Sequence, residues 1–300
     1  MNTYDCIIRG GTVVHHDRTE RADIGIRNGT IAAVGDLSPD TATKEISAVG
    51  QKVIPGGIDP HTHIDSEYAG LRGGDDIYSG TLAAAYGGTT CLIDFAAAPD
   101  TLTSRIGNRV AFFERGRPVV DFGLHCVIGS ADAGRLPEIK DALQAGVSSF
   151  KYYMNNSDPL SDGALLKLFE ATGQEGVLVC VHAENEQIAR FHTLSLIEQG
   201  RVRWRDFPLS KPGICEREAV VRAITLADAA GTGVYIVHVS AGESALYLEQ
   251  ARTNGKPFYG ETCTHYLTLT EDVYDREDGE LYQVAPPLRG KSDQALLWEA

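Results

Sequence analysis

Histidine and lysine recur at the ends of apolar runs in this 300-residue chain. The run over 57–63 ends Asp59-Pro60-His61-Thr62-His63, and that over 148–154 holds Phe150-Lys151-Tyr152. The runs over 176–182 and 233–240 end Val181-His182 and Val237-His238-Val239-Ser240. In a strand, residues i and i+2 face the same side, so His61 and His63 can converge on one ion. Each feature alone has a plainer explanation. An isolated H-x-H is common by chance, a single His182 or His238 reads as a hydrogen-bonded core histidine, and Lys151 alone would extend its ammonium to water. Four histidines and one lysine at strand ends, all on one expected face, are not accounted for by packing.

Four imidazoles exceed the three protein ligands that one catalytic zinc normally takes. Two ions at roughly 3.5–4 Å would share them and would need an anionic bridge. A lysine supplies that bridge only when its amine is neutral and has captured carbon dioxide as a carbamate. Its ordinary pKa of about 10.4 forbids this, but burial among cations lowers the value. Of the other histidines, His125 is read as structural or supporting, His265 as structural, and His15 and His16 as surface residues.

These side chains need elements to carry them. Seven short apolar runs (57–63, 89–95, 120–128, 148–154, 176–182, 233–240 and 257–264) read as strands buried on both faces. Helix-period stretches separate them. One has Leu165, Leu168 and Phe169 behind an N-cap at Ser161 or Asp162, and another pairs Glu218 with Arg222 at i,i+4. Repeated β-then-α units imply a parallel sheet, open or closed into a barrel, and a barrel's C-terminal strand ends meet at one mouth. The first fifty residues differ. Short β-like runs (Cys6–Ile8, Thr12–Val14, 22–26 and 30–34) surround Gly10-Gly11 and Asn28-Gly29, and Asn-Gly is a preferred hairpin turn. The expected division is a small antiparallel β unit over 1–52 and a β/α domain over 53–300.

Composition removes other classes. Apolar residues make up 43%, enough for a sizeable core, and a net charge of −14 disfavours nucleic acid and anionic membranes. No apolar run approaches the roughly 20 residues of a membrane span, and the N-terminus reads as no secretory signal. The six cysteines lack C-x-x-C spacing and read as reduced thiols of a cytoplasmic protein, with Cys91, Cys126 and Cys180 in apolar runs.

Taken together, Gly56-Gly57-Ile58-Asp59-Pro60-His61-Thr62-His63, Gly87-Gly88-Thr89-Thr90, Ser149-Phe150-Lys151, Val181-His182-Ala183-Glu184-Asn185, Val237-His238-Val239-Ser240 and Ala285-Pro286-Pro287-Leu288-Arg289 resemble the cyclic amidohydrolases of the dihydropyrimidinase and hydantoinase group. The resemblance runs along nearly the whole chain. It implies a (β/α)8 TIM barrel with a β-sandwich built from both chain ends, and two divalent metal ions, zinc. By that resemblance His61 and His63 bind one ion, His182 and His238 the other, and N6-carboxylated Lys151 bridges them. The implied reaction is hydrolysis of a cyclic amide by a metal-bridging hydroxide, in a homo-oligomer, either dimer or tetramer.

The resemblance has gaps. The family's barrel-end aspartate, its general base, lies in a Thr-Asp-His-type motif after the eighth strand. Neither motif nor strand is found up to Ala300, so both are expected beyond it. Asp293, in a polar turn before a helix, is read as no substitute. The family's substrate-holding tyrosine five residues after the lysine is Asn156, and the serine before Pro-Pro is Ala285. Asn156 can still offer an amide donor, and main-chain groups act at the serine position, so Asn156 and Ala285 stand with Tyr153 as expected substrate contacts. Tyr68, Tyr153 and the loop 158–160 are expected as pocket walls. The allantoinase branch also lacks the tyrosine and is the second reading for substrate. Ile64-Asp65 after His63 departs from the H-x-H-x-R of dihydroorotases. A non-catalytic relative of the dihydropyrimidinases is the rival from another class.

Overall fold

The computed structural model describes residues 2–68, 70–253 and 255–300. It divides into two compact units, Met1–Ile58 with Gly88–Thr90, and Asp59–Gly87 with Cys91–Ala300.

The first unit is a β sheet in the order β3-β2-β1-β4, with β5 also on β1. Its strands are β1 (Thr3–Val14), β2 (Thr19–Arg27), β3 (Thr30–Gly35), β4 (Thr41–Ser47) and β5 (Lys52–Val53). Asn28 and Gly29 take φ of 51° and 74° between β2 and β3, the doubly left-handed turn that Asn-Gly favours. The two runs expected on either side of Gly10-Gly11 are one strand. The register against β2 shifts between Ile8 and Gly11, so the glycines mark an irregularity rather than a turn. β1 pairs antiparallel with β2 but parallel with β4 and β5. Two small apolar clusters, Tyr4-Ile7-Leu37 and Val13-Ala22-Ile24, fill it.

The second unit alternates strand and helix. In chain order come β6 (Gly57–Asp59), a hairpin of β7 (Glu67–Tyr68) and β8 (Leu71–Arg72), α1 (Ile77–Tyr86), β9 (Thr89–Ala96), α2 (Leu102–Gly116), β10 (Asp121–Val127) and α3 (Ile139–Gln144). Then follow β11 (Ser149–Tyr153), α4 (Asp162–Gln174), β12 (Leu178–His182), α5 (Glu186–Glu198), α6 (Phe207–Ser210) and α7 (Gly213–Ala229). The last are β13 (Val234–Ile236), α8 (Gly242–Arg252), β14 (Phe258–Gly260), α9 (Thr264–Thr268) and α10 (Lys291–Glu299). Seven strands form one sheet in the order β14-β13-β12-β11-β10-β9-β6. Neighbours from β9 to β14 pair in parallel, the mixed α/β barrel architecture that the strand count implied.

Local signals explain much of this. Ser161 caps α4 by accepting a bond from the Ala164 amide, and Leu165, Leu168 and Phe169 on that helix are fully buried. Glu218 and Arg222 on α7 pair at 3.2 Å. Phe150, Val179, Val181, Val234 and Ile236 belong to the core cluster between sheet and helices. Three expectations change. β6 stops at Asp59 and is exposed, with Ile58 66% open, because an outer strand has a neighbour on one side only. β13 stops at Ile236, two residues short of His238. Asp293 lies within the first turn of α10, where its carboxylate accepts the Gly242 amide at 2.9 Å.

Candidate metal centre

Four imidazoles and an amine meet at the C-terminal end of the parallel sheet. Lys151 lies inside β11 and His182 ends β12, so strand alternation aims both, as expected. His61 and His63 do not lie in a strand. They follow β6 in a loop tied to β9 by the Thr62 amide on the Ile93 carbonyl at 3.0 Å. His238 is aimed by a left-handed backbone, φ 41°, a conformation that costs a non-glycine residue roughly 1–3 kcal/mol and is tolerated chiefly where function demands it.

The rings nevertheless converge. Centroids of His61 and His63 stand 5.2 Å apart, those of His61 and His238 5.2 Å, and those of His182 and His238 4.4 Å. Phe95 is the floor. It stacks on His63 at 4.4 Å, meets His61 at 4.9 Å, and lies 5.2 Å beneath Lys151 Nζ. Lys151 is completely buried, and its Nζ and the Nδ1 of His238 are buried without hydrogen-bond partners. Orphaned buried nitrogens on this scale are rare in stable folds and mark a missing partner.

Two carboxylates stand behind the imidazoles. His61 Nδ1 is 2.6 Å from Glu261 Oε1, and His182 Nε2 is 2.7 Å from Glu184 Oε2. Glu261 is also held by the Tyr235 hydroxyl at 2.9 Å, and Glu184 by Lys211 Nζ at 2.8 Å. A metal-binding histidine commonly gives its other ring nitrogen to such a carboxylate. His125 does not share this pattern. Its nitrogens are spent on Ser149 Oγ at 2.6 Å and the Pro60 carbonyl at 2.8 Å, the structural role expected for it.

Burial sets the protonation states. It drives His61, His182 and His238 below the ordinary imidazole range, His238 furthest, with Glu261 and Glu184 partly opposing it at the first two. His63 keeps an exposed edge, and shielding of its inner face with the nearby His61 and Lys151 charges lowers it as well. Burial also lowers Lys151 to about 7. Neutral imidazole and neutral amine are the forms that ligate a metal and capture carbon dioxide. Among the described residues no group of three His, Cys, Asp or Glu side chains is placed to hold a metal ion by itself. The donor set still suits zinc: four imidazoles, the His238 Nδ1 and the Lys151 amine unpartnered, and carboxylates already in place behind His61 and His182.

The loop behind the cluster is pinned by a buried ion pair. Arg109 on α2 binds Asp94 Oδ1 at 2.6 Å and the Ile64 carbonyl at 2.7 Å, while Asp94 Oδ2 accepts the Ile64 amide at 2.9 Å.

Of the expected substrate contacts, Tyr153 lies at the cluster. Its ring is 5.8 Å from His182 and 4.8 Å from Lys151 Nζ. Asn156 and Ala285 lie on exposed loops. The loop 158–160 is not a wall of the histidine cluster. Leu160 is buried, its amide accepted by the outward-facing Tyr152 hydroxyl at 2.8 Å, and Pro159 and Leu160 line a small cavity with Met154 and Arg222. The side chain of Tyr68 lies outside the described portion. Glu261, Lys211, Phe95 and the Arg109–Asp94 pair were not anticipated. Glu184 and Glu261 carried a signal, each a carboxylate within a few residues of a strand end, whereas Arg109 in the middle of a helix carried none.

A parallel β/α sheet with imidazoles and a buried lysine gathered at its C-terminal end has the architecture of an amidohydrolase barrel. By sequence and by fold the chain is similar to hydantoinases and dihydropyrimidinases. It is 38% identical over 296 residues to the D-phenylhydantoinase of Escherichia coli (strain K12), 97% of this chain and 64% of that protein. Its fold matches the D-hydantoinase from Bacillus sp. AR9 with a TM-score of 0.93 at 37% identity, covering 98% of this chain and 66% of that one. It matches the dihydropyrimidinase from Brevibacillus agri with a TM-score of 0.90 at 35% identity, covering 98% and 65%. The L-hydantoinase (dihydropyrimidinase) from Arthrobacter aurescens gives 0.91 at 31% identity, covering 99% and 66%. The chain thus spans slightly less than two thirds of these relatives. No protein-family model matches it. Among the described residues no helix is long and apolar enough to cross a membrane.

Proposed function

We propose that this chain carries the metal centre of a hydrolase that opens a cyclic amide ring of the hydantoin or dihydropyrimidine type. The observation that carries the reading is the meeting of His61, His63, His182 and His238 around Lys151, whose amine is fully buried with no hydrogen-bond partner. His61 and His63 would hold one divalent ion, zinc by donor type, and His182 and His238 a second. Carboxylated Lys151 would bridge them. Bound there, the ions supply an acidified water and an electrophile for the ring carbonyl.

The chain's own residues do the rest. Glu261 and Glu184 orient His61 and His182. Phe95 closes the floor against water and keeps Lys151 in an apolar setting. Tyr153, half-buried beside His182 and Lys151, would contact a ring bound above the cluster, a reading its distances to both side chains support. Asn156, where relatives of this group carry tyrosine by the resemblance above, favours an allantoin-like ureide as the second substrate reading. The six cysteines, all free thiols, accord with a cytoplasmic enzyme, and the resemblance supports a homo-oligomer.

Zinc content and intact mass test the centre. About two zincs per chain and a Lys151 heavier by one carbon dioxide are expected, with both lost on acid treatment and regained with zinc and bicarbonate. Metal-free protein with unmodified Lys151 under those conditions overturns the reading. Ring-opening rates of the whole enzyme on hydantoin, dihydrouracil and allantoin then rank the substrates.

A further inference from the structure

Behind His182 lies a polar network of which the reading above uses only Glu184. Glu184 is fully buried, two residues past the end of β12, and its Oε2 faces two groups at once, His182 Nε2 at 2.7 Å and Lys211 Nζ at 2.8 Å. Lys211 comes from the connection between α6 and α7, with its side chain 19% exposed. Its carbonyl accepts from Arg289 Nη1, and Arg289 Nε donates to Ser240 Oγ at 3.1 Å. Ser240 is bonded in turn to the buried Glu216, which also accepts the Ser240 amide at 3.1 Å and the Ala241 amide at 2.9 Å. Ser240 is two residues from His238. The network therefore bonds His182 directly and, at Ser240, holds the backbone two residues from His238.

We propose that Glu184 and Lys211 are positioning residues for His182: the Lys211-held carboxylate takes the imidazole Nε2–H and leaves Nδ1 as the lone-pair nitrogen for a metal. This rests on the metal-centre reading above. The chemistry admits one polarity. A carboxylate paired with an ammonium is ionised and can only accept, so the proton between Glu184 and His182 belongs to Nε2. Burying an ion pair is costly and by itself poor evidence of a stabilising role, which leaves orientation as the reason for this one. The first pair is built differently. Glu261 behind His61 is held by the neutral Tyr235 hydroxyl, so a change at Lys211 acts on the His182 side alone.

The test uses the full chain, stripped of metal, as wild type, Glu184→Leu with Lys211→Met, and Lys211→Arg. The double variant removes both charges together, so no buried charge is left unpaired to unfold it. Histidine nitrogen spectra of the metal-free chains report the His182 tautomer, and zinc titration against a chromophoric chelator reports affinity. The wild type is expected to show His182 as the single Nε2–H tautomer. The double variant should show a mixture and lose about 10- to 100-fold in one of two zinc-binding steps, the other unchanged. Lys211→Arg, which keeps the cation beside Glu184, should match the wild type in both readouts. A folded double variant that keeps the pure tautomer and both affinities overturns the proposal. Failure of the wild type to take zinc overturns the metal-centre reading instead, and the tautomer alone then supports or overturns the hold of Glu184 on His182.

Discussion

His61 and Glu261 are 200 residues apart in sequence and 2.6 Å apart in space. His61 follows β6 and Glu261 follows β14, the two outermost strands of the seven-stranded sheet, so this bond links the sheet's far ends. Glu261 is held below the ordinary carboxylate range. Burial would raise it, but the His61 and Tyr235 bonds outweigh that. Glu261→Ala should therefore lower unfolding free energy by about 1.5–3 kcal/mol, the range for a hydrogen bond to a charged group, and Tyr235→Phe by about 1. Urea unfolding of the metal-free chain measures both. Equal effects from the two variants would show that the histidine bond contributes nothing.

Lys151 is a liability to the fold in its metal-free form. Its amine has no partner and burial lowers it to about 7, whereas the unfolded chain keeps it protonated to about 10.5. The folded state therefore loses stability as pH falls from 10.5 to about 7, and the full penalty is present at neutrality. Lys151→Met should raise the stability of the metal-free chain at pH 7 by roughly 2–4 kcal/mol while abolishing retention of two zincs. Differential scanning calorimetry and metal analysis on the same samples check the pair of outcomes. A less stable Lys151→Met chain would mean that the amine has a partner in solution.

Arg109 acts at a distance from the cluster. It reaches from α2 to Asp94 and to the Ile64 carbonyl, while Asp94 holds the Ile64 amide, so the loop carrying His61 and His63 is clamped at its far end. Arg109→Met leaves Asp94, fully buried, without its cation. A loss of about 3–5 kcal/mol is expected by thermal or urea unfolding. Asp94→Asn with Arg109→Met, which removes both charges, should recover part of it, and a double variant worse than the single would refute the clamp.

What was legible in the sequence was whatever short-range pattern encodes. The cap at Ser161, the turn at Asn28-Gly29, the Glu218–Arg222 pair and the parallel strands each follow from a few neighbouring residues. The histidines were legible by type and position, but strand alternation does not account for three of them. His61 and His63 share a site through a loop bonded to β9, and His238 through a left-handed backbone, neither of which follows strand alternation. The supporting shell was less legible because its partners are distant in sequence: Glu261 behind His61, Lys211 behind Glu184, Arg109 behind Asp94. The loop 158–160 was misplaced for a related reason. Tyr152 alternates outward from Lys151 and draws Leu160 to the core side of the sheet, away from the mouth.

Acid should unfold the metal-free chain through its histidines before its carboxylates. Burial is the leading cause that keeps His61, His125, His182 and His238 below the ordinary range. Unfolded histidines take a proton near pH 6.5, so below that pH the unfolded state binds more protons than the folded one. The histidine contribution is therefore complete above about 6.5 and is lost as pH drops toward the lower folded values, by up to about 1.4 kcal/mol per pH unit for each such histidine. His63, with its exposed edge, contributes less. Glu184 and Glu261, held low against their own burial by their partners, add a loss below about pH 4.5. Asp94 and Glu216, raised by burial, act in the opposite sense above about pH 4.5, so they offset part of the histidine loss instead. From pH 8 to pH 4 the melting temperature should thus decline gently to about 7 as Lys151 takes up its proton and fall more steeply below about 6.5, and His125→Gln should flatten the steeper fall by removing one of the four contributions. Zinc should move the break to lower pH, since ligation requires the neutral imidazole and opposes its protonation. A melting temperature that stays level from pH 8 to pH 5 without metal would mean that these imidazoles are protonated or solvated in the folded chain, and the centre would then lack neutral ligands for a metal.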